Sequence, residues 1–347
     1  METIIIPQNL SPVDAINCSK HIIGAAPDRT FKYDFSEMQH CHPFGLLLLG
    51  NAIRYNRYHY KKSKHLCVGL DNSQSVEFAS DLGFFQYAGW DIGRKTSIYD
   101  YGVRHIPIKQ ISVKDLQAAY PNTFVLGDII DQHAYDLAFT LTQDKYSEAT
   151  KTLQYCLREM IRNTFEHGKT ESIWVCGLYW PTRNEAEIAL LDEGCGVFTS
   201  LSGNRRYKLN SHMEANKLAL QPGASRMLGI KQDPYDVWQN SGYGLFMASA
   251  LCALGGYFIL CSGDDATLIN STAQTNYSSD LRGTAICMNI KTDRIVNLQQ
   301  QLNNLVSIGN SKARENEGYR ILSASKVSTI ASLIHKEPSE ELGSSND

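Results

Sequence analysis

No C-x-x-C pair occurs in this sequence, although it carries nine cysteines. Cys18, Cys41, Cys67, Cys156, Cys176, Cys195, Cys252, Cys261 and Cys287 are scattered and sit mostly inside apolar runs. That spacing excludes a dithiol redox motif and a cysteine-only zinc ribbon, and it reads as small buried hydrophobes in a reducing cytoplasm. His40-Cys41-His42 carries metal-ligating side chains, but the second ligand pair that a structural zinc site draws on is lacking. An excess of charge is lacking as well, with 33 Lys and Arg against 36 Asp and Glu. No broad nucleic-acid surface is therefore expected, although a net count does not register a local basic patch. Met1-Glu2-Thr3-Ile4-Ile5-Ile6-Pro7 has neither the basic start nor the long apolar run of a secretory signal, and reads as a short strand. The most apolar stretch, Leu245 to Cys261, is broken by Gly255-Gly256 and sits at the lower limit for a membrane span. It reads as a buried helix followed by a buried strand, so a cytoplasmic protein without a membrane segment is expected.

What is present suits two α/β domains: 347 residues, at roughly 150 per domain, divide into a small α/β domain over 1–125, a second over 126–293 and a helical extension with a disordered tail over 294–347. The boundary is expected between Val113 and Ala134. In the first part a strand from Phe31 to Ser36 precedes a helix from Pro43 to Ile53, with proline near its start. A strand at His65 to Leu70, a helix at Ser75 to Leu82 and a strand around Ile106-Pro107-Ile108 follow, a pattern that implies partly parallel strands. Tyr55 to Lys64 interleaves aromatic and basic residues, which serves single-stranded nucleic acid by stacking and phosphate neutralisation, and equally describes a solvated helix end.

Four motifs in the second part carry chemistry. Leu153, Leu157, Met160, Ile161 and Thr164 recur at helical spacing, so Glu159 and Asn163 stack one turn apart beside that apolar face. Ile188 to Leu191 reads as a short buried strand ending in Asp192-Glu193-Gly194-Cys195-Gly196, where glycines let the chain turn beside a pocket that holds an acceptor. Asn240-Ser241-Gly242-Tyr243-Gly244 then runs into the apolar helix, a place where backbone N–H groups meet an anion. Arg282-Gly283-Thr284 enters a final strand that ends near Ile290. Each motif taken singly also reads as ordinary packing or turn chemistry.

In this order the motifs resemble the GHKL superfamily, whose ATP-binding domain is shared by DNA gyrase, mismatch-repair ATPases, sensor histidine kinases and anti-sigma serine kinases. The similarity covers Thr152 to Ile290. It implies a two-layer α/β sandwich of the Bergerat type, with a mixed sheet under the nucleotide. Carried to matching positions, Asn163 would hold a magnesium ion on the phosphates, and Glu159 would orient or deprotonate the attacking water or hydroxyl. Asp192 would accept from the adenine amino group with Thr284 in support, and Gly194 and Gly196 would shape the adenine side. Gly242 and Gly244, with Tyr243 between them, would bring N–H groups to the phosphates. Glu159-x-x-x-Asn163-x-x-x-His167-Gly168 is closer to the anti-sigma kinases than to gyrase, while the Val197 to Gln239 segment, the implied lid, is longer than theirs. Within it Arg226 or Lys231 are candidates for the γ-phosphate, a solvated loop charge being the plainer reading of each.

Asp34-Phe35-Ser36 followed by Pro43-Phe44-Gly45-Leu46 resembles the strand-to-helix region of STAS domains, in whose phosphorylatable members a serine precedes the helix. Here His42-Pro43-Phe44 stands at that place, so binding or sensing is implied rather than phosphorylation. His133 stands alone, outside the helical motif of sensor kinases, and the residues after Ile290 are too few for a gyrase-type transducer. The resulting expectation is a regulatory protein that binds ATP and Mg2+, in which slow hydrolysis or phosphotransfer controls a protein partner. The alternatives are a serine kinase acting on a separate partner, and a nucleotide-gated, non-catalytic component of a defence or nucleic-acid assembly. Self-association into a homodimer is left open.

Overall fold

A computed structural model of the chain describes residues 1–25, 29–71, 74–93, 104–123, 125–225 and 242–315. Asn240, Ser241, Arg226, Lys231 and the expected disordered tail lie outside them.

The first unit starts with β1 (Glu2–Ile5) and β2 (Asn9–Leu10), then α1 (Pro12–Ile23). Ser11 caps α1 by accepting the Asp14 N–H at 3.2 Å, and Pro12 opens it where no N–H is needed. This helix escapes the sequence reading because its buried stripe is made of Ala15, Ile16, Ser19 and Ile22 rather than a run of leucines. Next come β3 (Thr30–Asp34), β4 (His40–Cys41) and α2 (Pro43–His59), whose Phe44 to Ile53 stretch is buried throughout. Each leucine-sized side chain of that stretch contributes about 1.5–3 kcal/mol by leaving water. β5 (Lys64–Val68), α3 (Gln74–Asp81) and α4 (Phe84–Ala88) complete the unit. Its sheet runs β1-β3-β5 and is parallel, with β2 and β4 forming a separate parallel pair.

The second unit comprises β6 (His105–Ser112), α5 (Val113–Ala119), α6 (Leu126–Thr142) and α7 (Glu148–His167), then β7 (Ser172–Trp180) and β8 (Glu185–Asp192). The segment read as a lid contains α8 (Gly196–Ser202) and α9 (His212–Ala219). α10 (Gly244–Cys252), β9 (Tyr257–Asn270), β10 (Gln274–Lys291) and α11 (Leu298–Glu315) follow. The strand order is β6-β7-β8-β10-β9.

Two expectations change here. β6 pairs with β7, so the strand around Ile106 belongs to the second sheet, not to the 1–125 domain; its alternating residues announce a strand but cannot name a partner. Every pair in this sheet is antiparallel, not mixed, because hairpins join β7 to β8 and β9 to β10.

A third difference concerns layers. Ile188, Leu190, Phe258, Leu260, Ile286 and Met288 face α6, α7 and α10, whereas Ala189, Leu191, Ile259, Cys261, Ala285 and Cys287 face the first unit. This two-residue alternation buries both faces, so the sheet is the middle of three layers rather than half of a two-layer sandwich. Small side chains on the second face let α1 and α2 approach closely, and burial pushes the Cys261 thiol up to about 12.

Glu187, fully buried in the centre of that face, ties the units together. Its Oε2 accepts from His42 Nδ1 at 2.8 Å and from the Tyr257 hydroxyl at 2.9 Å, and its Oε1 accepts the Phe44 N–H at 3.1 Å. A carboxylate from the second unit thus caps the start of α2, where the helix dipole favours negative charge. No described helix is long and apolar enough to cross a membrane.

Candidate functional site

α7 begins at a capped turn, with Ser147 Oγ accepting the Thr150 N–H at 3.2 Å, and runs unbroken to His167. Glu159 and Asn163 therefore stand one turn apart, as their spacing requires. Asn163 lines a cavity bounded by the end of α7, the end of β8, the start of α8 and the start of α10. Asp192, Gly196, Gly242, Gly244 and Thr284 line it with Asn163. Six of the nine residues singled out in the sequence thus meet on one cavity. It has about 90 Å³ of open space, whereas ligand pockets generally measure about 300–1,000 Å³, so a nucleotide would have to part its walls.

Asp192 is the cavity's buried charge, only 4% exposed. β8 brings it to the helix-covered face of the sheet, and cross-strand pairing sets Thr284 directly opposite. Its Oδ1 accepts the Gly194 N–H at 2.8 Å, and Thr284 hydrogen-bonds the same carboxyl. Burial pushes the carboxyl up to about 6, with the Gly194 and Thr284 hydrogen bonds opposing that rise. Gly194 does not line the cavity; its function is contact, since a Cβ there would lie 2.0 Å from the Gly168 carbonyl oxygen. The Cys195 N–H donates to that same oxygen at 2.8 Å, fastening the turn to the end of α7.

Glu159 does not reach the cavity surface. It is 3% exposed and lies behind Gly244, where a Cβ would fall 2.5 Å from Oε2. Its Oε1 is 3.3 Å from Arg158 Nη2, while Arg158 Nη1 is 3.3 Å from Asp131 Oδ1 on α6. The arginine is thus buried between two carboxylates and leans on the Tyr155 ring. Spacing alone could not show this, because Asp131 comes from another helix.

Tyr243 departs from expectation as well. Its side chain is fully buried away from the cavity, and its hydroxyl donates to Asn310 Oδ1 at 2.7 Å, anchoring α11. Only its backbone stays near the glycine pair, because the core between α10 and α11 takes the ring. His167 and Gly168 line the cavity as well, although the sequence motif that contains them gives them no role at a ligand.

Chemically, the site offers a buried carboxylate acceptor, a half-buried amide at Asn163 and the first turn of α10 beside Gly244, whose N–H groups have no partners within the helix. Among the described residues no three His, Cys, Asp or Glu side chains converge on a metal-sized site. His42, part of the His-Cys-His run, is occupied by Glu187.

No protein-family model matches this chain, and no curated protein matches it significantly.

Proposed function

We propose that this is a cytoplasmic ATP-binding regulatory protein of the GHKL type. The observation that carries the reading is the meeting of Asp192, Thr284, Asn163 and the glycines of two separate motifs around one cavity. These residues are distant in sequence, and packing alone gives no reason for a buried carboxyl aimed at a cavity.

In this reading Asp192 accepts from the exocyclic amino group of adenine, held in position by Gly194 and Thr284. Gly242, Gly244 and the first turn of α10 receive the phosphates. The donor set suits a hard cation that draws most of its ligands from phosphate oxygens and one from the protein, so Asn163 would hold Mg2+. The ion would neutralise phosphate charge and align the transfer. Glu159 would receive or orient the proton of the attacking water or hydroxyl once the first turn of α10, which covers its Oε2, moves aside; Arg158 holds its other oxygen.

The first unit is proposed as a STAS-like interaction domain. Where phosphorylatable relatives carry serine ahead of the helix, this chain has His42 and Pro43, and Glu187 covers the place. The domain would then respond to nucleotide through its packing on the second sheet, and present the result to a protein partner.

The test is displacement of a fluorescent ATP analogue. ATP with Mg2+ should compete at least about tenfold better than GTP, since guanine puts a carbonyl where Asp192 expects a donor. Equal competition, or none, sinks the reading. Incubation with γ-labelled ATP separates the outcomes of turnover: label on a co-encoded protein, lost in Glu159→Ala, indicates a kinase, and release of phosphate alone indicates a hydrolase.

A further inference from the structure

A second cleft, of about 660 Å³, opens between α2, the turn that follows β8 and the middle of β10. Arg54 and Tyr55 of α2 face Glu193, Asp280 and Arg282 across it, with Tyr58 at its edge. Two guanidinium groups and two carboxylates thus share one space. Among the described residues, none of the four takes part in an ion pair.

The cationic groups are held by rings instead. The Arg54 guanidinium lies 4.9 Å from the Tyr87 ring and 4.6 Å from that of Trp174, and its Nε is buried without a hydrogen-bond partner. Arg282 lies 5.6 Å from the Tyr55 ring, which stacks on His59 at 3.9 Å. Tyr58 is 76% exposed.

We propose that this cleft binds the base–phosphate unit of a nucleotide or of a single-stranded nucleic acid. A guanidinium matches a phosphate in a planar, bidentate way, and two of them line this cleft. Tyr58 offers the face of its exposed ring to a base, Tyr55, stacked on His59, holds the Arg282 guanidinium in place, and carboxylates accept from the amino groups of a base edge. The carboxylates also set orientation, because a purely anionic ligand such as inorganic phosphate would meet Glu193 and Asp280 as well as the arginines. A strand leaving past Tyr58 would pass the exposed Lys61, Lys62 and Lys64 after α2. This accounts for the aromatic and basic interleaving of residues 55–64, which the ATP reading leaves unused.

The proposal is independent of the ATP reading. Glu193 adjoins Asp192 and Arg282 stands two residues before Thr284, yet neither lines the first cavity. The test uses the full chain, titrated with the four ribonucleoside 5′-monophosphates and with labelled single-stranded RNA and DNA of about eight nucleotides. Saturable binding is expected. It should weaken at least about tenfold in Arg282→Glu and in Tyr55→Ala, and persist in Asp192→Asn. Arg282 is exposed, so its variant should fold, and matched thermal melts check this.

Binding of the oligonucleotide alone assigns the cleft to a single strand, and its affinity should then fall with salt. Binding of monophosphates, with or without the oligonucleotide, assigns it to a free nucleotide unit. No saturation by either below about 1 mM overturns the proposal. So does binding that Arg282→Glu and Tyr55→Ala leave intact, or that Asp192→Asn abolishes.

Discussion

A Cβ on residue 244 would stand 2.5 Å from Oε2 of Glu159. Gly244 thus allows the first turn of α10 to rest on a buried carboxylate of α7. At the first turn of a helix alanine is ordinarily the better residue, so propensity alone predicts that Gly244→Ala stabilises. The contact predicts the opposite, a loss of about 1–3 kcal/mol from overpacking. Glu159→Ala in the same chain should recover most of it, and a double-mutant cycle by denaturant unfolding reads that coupling. Additive effects would mean that the two residues do not touch.

Asp192 has the opposite sign from most carboxylates. Burial holds it at about 6, above its ordinary 3.8, so the stability linked to it is complete below 3.8 and lost as pH rises through about 6. At neutral pH the ionised group costs about 3 kcal/mol. Asp192→Asn should therefore raise the melting temperature of ligand-free protein at neutral pH, with a gain that vanishes near pH 4. A lower melting temperature at neutral pH would show that the carboxylate is a structural asset instead of a poised acceptor.

The hydrogen bond between His42 and Glu187 gives a second pH dependence. Burial alone would push the His42 imidazole down; the hydrogen bond and charge of Glu187 outweigh it and hold the group above its ordinary 6.5. Its contribution is fully present below 6.5 and is lost as pH rises through the raised value. Glu187→Gln should lower stability by about 2–4 kcal/mol at acidic to neutral pH, because it disturbs three hydrogen bonds to one buried carboxylate. It should also flatten the decline in stability as pH rises above 6.5, as followed by denaturant unfolding. An unchanged slope would remove His42 from the linkage.

The sequence shows those parts of this molecule that short-range chemistry determines. Glu159 and Asn163 share a helix, Asp192 ends an apolar strand, and glycine pairs mark both turns; each is visible within a few residues. The run Phe44 to Ile53 likewise declares a buried helix. What escaped depends on distant partners. β6 joins β7 across some sixty residues, Arg158 reaches Asp131 on another helix, and Glu187 meets His42 from a different unit. Glu187 stands just before the apolar run Ile188 to Leu191, and nothing in its neighbours announces its burial, because only the packing of α1 and α2 on that face buries it. Tyr243 shows the converse error, a residue placed in the site by its neighbours and taken by the core through Asn310.

Calorimetric titration of the full chain with Mg-ATP, on wild type and Asp192→Asn, tests the central claim most directly. The wild type should bind, its affinity weakening as pH falls below about 6, where the ligand-free Asp192 takes up a proton. Asp192→Asn should lose about tenfold to a hundredfold, the worth of a hydrogen bond to a buried charge, while melting as a folded protein. No Mg-ATP binding by wild type, or equal affinity in the variant, would contradict the assignment of this cavity to adenine.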